Sequence, residues 1–329
     1  MFNEKVVLIT GGTGSFGRKF TKLLFDRYKP AKIIILSRDE FKQFEMAKIF
    51  PTEKFPIRYF LGDIRDRDRL YRAFKGVDYV VHAAALKQVP ALEYNPFEAV
   101  KTNIIGAQNI VDAAIDRGVS KVIVLSTDKA VNPANLYGAT KLSMEKIFQA
   151  SGVYSGETKT RFVLVRYGNV VGSRGSVIPL FMDLIKQGAK ELPITDERMT
   201  RFWITLEQGA ELVLKAAEEG QDGEIFIPKI PSMKMPDLAA AMGPQCKIKN
   251  IGIRPGEKLH ETLISEDEAR TTVDLGDHYA VLPQSNFERH PLKDKPLVKE
   301  GFIYRSDLND AWLSVEELKT MIEGLKVDE

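Results

Sequence analysis

The chain has 329 residues, 44% hydrophobic and 28% charged, which is enough apolar material for one large domain or two interleaved ones. Its 47 basic and 45 acidic side chains leave a net charge of +2, so nothing calls for a nucleic-acid or membrane partner. Cys246 is the single cysteine, which excludes an intrachain disulfide; no apolar run approaches a membrane span or a signal-peptide core, and a cytoplasmic enzyme is expected.

Short β-branched runs alternate with helical patterns through the first half. Val6–Ile9, Ile33–Leu36, Tyr59–Leu61, Tyr79–Val81 and Val122–Leu125 predict buried strands. Between the first two, Phe16, Phe20, Leu23 and Leu24 share one helical face. Arg65–Arg69 alternates in sign and reads as a solvated helix start. Phe162–Val165 predicts a sixth strand. Beyond it, Gly168, Gly172, Gly175, Pro179, Gly188 and Pro193 predict loops and short elements. Leu206–Glu219 is an amphipathic helix, and Ile225–Ile227 is a candidate last strand. Helices at Met235–Met242 and Ser314–Ile322 and an exposed loop over Asn286–Lys299 complete the chain. The expected fold is α/β: a Rossmann-type doubly wound parallel sheet over residues 1–168, with 204–227 returning to it. A smaller mixed α/β substrate-binding region is expected over 169–203 and 228–329.

The run Thr10–Gly17 leaves the first strand and opens the first helix. Gly11, Gly14 and Gly17 permit a sharp turn and close approach to a pyrophosphate, with Thr13, Ser15 and Phe16 between them. Free N–H groups and the helix dipole then meet the phosphate charge. The second strand ends in Ser37 and Arg38, before Asp39, Glu40 and Lys42. A hydroxyl, a guanidinium and an ammonium suit a ribose 2′-phosphate, favouring NADP, while Asp39 leaves NAD open. Asp63 and Ile64 follow the third strand, where the adenine is expected. Ala83 and Ala84 follow the fourth, and their small size serves a cofactor close to the backbone or a closely packed helix.

Ser126-Thr127-Asp128-Lys129 ends the fifth strand, and Tyr137 and Lys141 follow on one helical face. A lysine so placed can bind a nicotinamide ribose and lower the pKa of the phenol, which then takes a proton from a substrate hydroxyl. Asp128 and Lys129 are a second proton-transfer pair, which simple alcohol oxidation does not need. Read blandly, Lys129 is a surface lysine and Asp128 a turn or cap.

These residues resemble the extended short-chain dehydrogenase/reductase family over nearly the whole chain. Within it, Thr127-Asp128-Lys129-Ala130 and Asn135-Leu136-Tyr137-Gly138 resemble the inverting nucleotide-sugar 4,6-dehydratases, where retaining ones carry Glu in place of Lys129. Ala84–Pro90, Arg166–Val170, Ser173–Val177 and Arg254–Lys258 agree, and Tyr137 separates the chain from capsule-pathway relatives lacking that tyrosine. The resemblance implies 4,6-dehydration of UDP-N-acetylglucosamine with C5 inversion, giving UDP-2-acetamido-2,6-dideoxy-β-L-arabino-hex-4-ulose, the first step of pseudaminic acid synthesis. It also implies a homo-oligomer.

Loss of water across C5 and C6 needs a ketone at C4 to acidify C5–H, then a base at C5 and an acid for the 6-hydroxyl. The expected roles are Tyr137, assisted by Lys141, at the 4-hydroxyl, Lys129 at C5 and Asp128 at the leaving group, with Thr127 beside them. As a base, Lys129 must be neutral; burial, Lys141 and the nicotinamide are expected to lower its pKa toward roughly 7 to 8. Expected substrate contacts are Lys87, Thr102, Asn103, Lys129, Asn169, Arg174, Thr200 and Arg254, with Val170 beside the cofactor. The four histidines show no metal-ligand spacing. Two other functions remain open: a nucleotide-sugar 4-epimerase, which needs neither Asp128 nor Lys129, and a non-catalytic NADP sensor.

Overall fold

A computed structural model describes residues 1–156, 160–172 and 176–325. Its frame is six parallel strands: β1 (Val6–Thr10), β2 (Lys32–Ser37), β3 (Ile57–Leu61), β4 (Tyr79–His82), β5 (Lys121–Leu125) and β6 (Arg161–Val165). They stand in the order β3-β2-β1-β4-β5-β6, so the winding reverses between β1 and β4. That reversal opens a crevice at the carboxyl ends of the strands. The crossovers are helical: α1 (Ser15–Arg27), α2 (Glu40–Ile49), α3 (Arg67–Ala73), α4 (Val89–Tyr94), α5 (Pro96–Ala99), α6 (Gly106–Asp116) and α7 (Leu136–Ser151). Helices cover both faces, so the central strands are mostly apolar, and every residue of β5 is buried, Lys121 included.

Ile225–Pro228 joins the sheet parallel to β6, with Ile225 opposite Leu164. His278–Val281 and Thr272–Asp274 then add antiparallel, making nine strands among the described residues. The sequence reading grouped this hairpin with the smaller region, because strands of three and four residues carry too little alternation to be read. Two further expectations differ. Val177–Lys186 is a helix, not loop, because Pro179 falls in its first turn, where a missing N–H breaks no helical bond. Gln284–Arg289 coils into 3-10 turns within the expected exposed loop, and His290 is buried.

The smaller region has its own core, with Phe181, Leu192, Met199, Trp203, Met233, Leu238 and Leu318. Its strand Thr200–Ile204 pairs with Asn169–Val170 on one side and Ser232–Lys234 on the other. No helix among the described residues is long and apolar enough to cross a membrane.

Candidate active site

The crevice holds a cleft of about 700 Å³. At its closed end β1 passes into Gly11, with φ of +64°, where a Cβ would stand 2.8 Å from the Ala84 Cα. Only glycine lets this turn lie against the backbone at Ala83–Ala84. α1 starts with Gly14 as its N-cap and no capping side chain, so its first N–H groups remain available, and Thr13 through Gly17 line the cleft. A dinucleotide phosphate fits that cradle.

At the adenosine end, Thr13 Oγ1 and Ser37 Oγ are 2.9 Å apart. Arg38 is exposed, its Nη1 3.8 Å from Asp63 Oδ2. Asp39 caps α2: its Oδ1 accepts from the Lys42 backbone at 2.9 Å and its Oδ2 pairs with Lys42 Nζ at 2.9 Å. That backbone bond, with the Lys42 ammonium, holds the Asp39 carboxyl below the usual range. Asp63 and Ile64 line the cleft; Glu40 is exposed on α2 and does not.

The reactive end depends on how closely α7 approaches the turn after β5. A Cβ on Gly138 would overlap the Lys129 carbonyl oxygen, so glycine there lets the helix start press on the turn Asp128–Ala130. Asn135 caps α7, accepting from the Gly138 N–H at 2.8 Å. Tyr137, Lys141, Thr127 and Lys129 therefore face one cleft. Asp128 lies just behind it, wholly buried. Its Oδ1 accepts from Thr127 Oγ1 at 2.9 Å and Lys129 Nζ at 3.0 Å, while Oδ2 has no hydrogen-bond partner among the described residues. Lys129 Nζ also reaches Asn169 Oδ1 at 3.4 Å and Glu261 Oε1 at 3.3 Å.

Burial by itself would lower the Lys129 pKa, but the Asp128 and Glu261 carboxylates outweigh it and raise it. The direction is opposite to the expected fall, which weighed burial and two cations against Asp128 and did not include Glu261. Burial raises the Asp128 carboxyl, against the pull of Lys129 beside it. Tyr137 is likewise pushed up to about 12 by burial, against the pull of Lys129 and a bond to Thr127. Lys141 is brought down to about 8 by burial, opposed by Glu145. Its Nζ donates to the Leu125 carbonyl at 2.7 Å. The expected lowering of the phenol by Lys141 is absent: Lys129 is the cation that acts on Tyr137.

Among the expected substrate residues, Lys87, Thr102 and Asn169 line the cleft, as does Val170 on the cofactor side. Burial, then Lys129, lowers the Lys87 pKa. Thr102 lies on a π-helical turn, Val100–Ile105, and its buried Oγ1 has no partner among the described residues. Asn103 does not line the cleft: its amide is used by Leu86 N at 2.9 Å, Leu86 O at 2.9 Å and Thr140 Oγ1 at 3.0 Å, which shapes the loop after β4. Thr200 turns inward to His260 Nδ1 at 2.8 Å and Ser306 Oγ at 2.7 Å. Arg254 is exposed outside the cleft, and Arg174 falls outside the described residues. Sequence reasoning missed Glu261, Arg201 and Trp203. Glu261 lies three residues beyond Lys258, so extending the Arg254–Lys258 motif by one turn would have reached it.

A family described as polysaccharide biosynthesis protein matches residues 7–283. The chain belongs to that family. Within the polysaccharide biosynthesis family, it is 56% identical to UDP-N-acetylglucosamine 4,6-dehydratase (inverting) of Campylobacter jejuni, covering 98% of each chain. It is 42% identical to UDP-glucose 4-epimerase of Rickettsia akari, covering 98% of this chain and 96% of that one. Among solved structures, Pen from Bacillus thuringiensis superposes with a TM-score of 0.90 at 40% identity over 99% of each chain. The extended short-chain dehydrogenase/reductase fold read from the sequence is the fold of this chain.

Proposed function

We propose that this protein dehydrates UDP-N-acetylglucosamine across C5 and C6 with inversion at C5, as the first step of pseudaminic acid synthesis. The carrying observation is the contact at 3.0 Å between buried Asp128 and Lys129, which lines one cleft with Tyr137. An epimerase has no use for that pair.

A nicotinamide cofactor, which the turn Gly11–Gly17 would hold by its phosphates, would supply a hydride acceptor for C4 and a hydride donor for C6. As the phenolate, the form that the Lys129 charge favours, Tyr137 takes the 4-hydroxyl proton, leaving a C4 ketone that makes C5–H acidic. One proton passing from Lys129 to Asp128 across their contact gives the neutral amine and the carboxylic acid that elimination needs. Lys129 then takes the C5 proton while Asp128 protonates the departing 6-hydroxyl, which leaves as water. A proton delivered from solvent to C5 on the opposite face gives the inverted product, and Tyr137 returns to solvent the proton it took from the 4-hydroxyl. Substrate minus one water is the whole balance.

NADP is the proposed cofactor. Ser37, Arg38, Asp39 and Lys42 all line the cleft, but the Asp39 carboxylate is committed to its cap and to Lys42, which leaves Arg38 to meet a 2′-phosphate. A homo-oligomer is the proposed assembly.

The test is incubation with UDP-N-acetylglucosamine in deuterated water. The expected product is lighter by one water and carries deuterium at C5 with L-arabino geometry. A C4 epimer of unchanged mass would instead support the epimerase reading. Lys129→Ala should abolish the 4-keto product while leaving cofactor affinity intact, and full turnover by that variant would remove Lys129 from the mechanism.

A further inference from the structure

We propose that Glu261 is a positioning residue that fixes the Lys129 amine in the cleft and holds its proton. Glu261 is 2% exposed, yet it serves no cap and no sheet. Three cations converge on it: Lys258 Nζ at 3.1 Å, Lys129 Nζ at 3.3 Å and Arg201 Nε at 3.9 Å. Its backbone is pinned on both sides, its N–H donating to Ser306 Oγ at 3.0 Å and its carbonyl accepting from the Ser306 N–H at 2.8 Å. Lys258 is anchored in turn, donating to the Val131 carbonyl at 2.9 Å.

Lys129 comes from the turn after β5, and Glu261 from the chain entering strand Thr262–Ile264 of the C-terminal part. The amine is therefore aimed only where the two parts of the chain meet. A flexible lysine stem gains a single direction from carboxylates on two sides. Asp128, Glu261, Arg201, Lys87 and Tyr137 are the titratable or charged groups around it, with the Asn169 amide between them. Among these, Glu261 is a firmly ionised partner: burial opposes its charge, but Lys129, Arg201 and Lys258 outweigh burial and hold its carboxyl low.

The catalytic meaning of this role rests on the dehydratase reading, so its test includes a readout that needs no turnover. The Lys129 side chain is 25% exposed, within reach of small reagents. Reductive methylation across a pH series, followed by peptide mass spectrometry, reports the neutral amine at Lys129. Glu261→Gln should lower the pH of half-modification by about one unit or more, while Glu261→Asp stays near wild type. Lys258→Gln, which leaves Glu261 less neutralised, should raise it and serves if Glu261→Gln does not fold. A half-modification pH that moves in neither Glu261→Gln nor Lys258→Gln overturns the proposal. In turnover, Glu261→Gln should lower kcat with KM little changed and carry the acidic limb of kcat downward. A fall in kcat with that limb unmoved means Glu261 is only structural. Wild type that methylates as expected but forms no dehydrated product would sink the dehydratase reading and leave this one standing.

Discussion

Arg166 Nη2 stands 2.6 Å from Glu145 Oε2 in a space where neither side chain meets solvent. Arg166 Nε also donates to Glu145 Oε1 at 3.0 Å, and the other guanidinium donors take Glu268 at 2.9 and 3.0 Å and the Leu263 carbonyl at 2.8 Å. Glu145 lies one turn beyond Lys141 on α7, and its Oε1 accepts from Ser126 Oγ at 2.5 Å, next to Thr127-Asp128-Lys129. One buried arginine thus locks the helix of Tyr137 and Lys141, the loop of Lys129 and the C-terminal capping box Ser265–Glu268 into one register.

Removing Arg166 strands two carboxylates. Arg166→Met should destabilise the fold by about 3–5 kcal/mol in urea unfolding. The deficit depends on pH. Burial raises the Glu268 pKa, but Arg166 outweighs it and holds it low, so that stability is present above the ordinary carboxylate pKa and lost as pH falls through the folded value. In the variant, only the Ser265 N–H and Lys146 still oppose burial, so its deficit relative to wild type should shrink as pH falls below about 4 to 5.

Gly138→Ala forces a methyl onto the Lys129 carbonyl oxygen and must part α7 from the Asp128 turn. A shift of about 1 Å at reacting groups can cost on the order of 100-fold in rate. The expected variant binds NADP nearly as wild type in a fluorescence titration but turns over about 100-fold more slowly. Unchanged kcat would show that this close approach does not set the reacting geometry.

Tyr137→Phe and Asp128→Asn should fail at different steps. Without the phenol, the absorbance of reduced nicotinamide should not rise on adding substrate in a stopped-flow trace. Asp128→Asn should still show that rise but stall before loss of water. Each change should lower kcat by about 10²- to 10⁴-fold, the usual worth of a general acid or base. Identical traces from the two variants would contradict the separate roles.

Arg38→Ala should weaken NADP binding tenfold or more, on the order of one charge-assisted phosphate contact, and leave NAD binding nearly unchanged. Isothermal titration with each dinucleotide reads this directly. Equal losses for both would place Arg38 away from the 2′-phosphate.

Much of the scaffold was legible before any coordinates. β-branched runs marked all six strands of the frame, and the apolar face of Leu206–Glu219 marked that helix to the residue. Tyr137 and Lys141 were legible as cleft neighbours because four residues is nearly one helical turn. The edge hairpin 272–281 escaped because its strands are short and its pairing partner lies far away in the chain. Asn103 was misread as facing the sugar because spacing cannot say which of an amide's bonds are already taken.

The order of residues along the chain determined the doubly wound sheet, the glycine-rich turn after β1 and the side chains of the proposed reactive set, since each follows from local periodicity or spacing. The tertiary structure decided how those side chains are charged. A lysine's charge in a buried cleft depends on every carboxylate around it, and to its sequence neighbour Asp128 at 3.0 Å the fold adds Glu261, brought from a distant stretch of chain to within 3.3 Å.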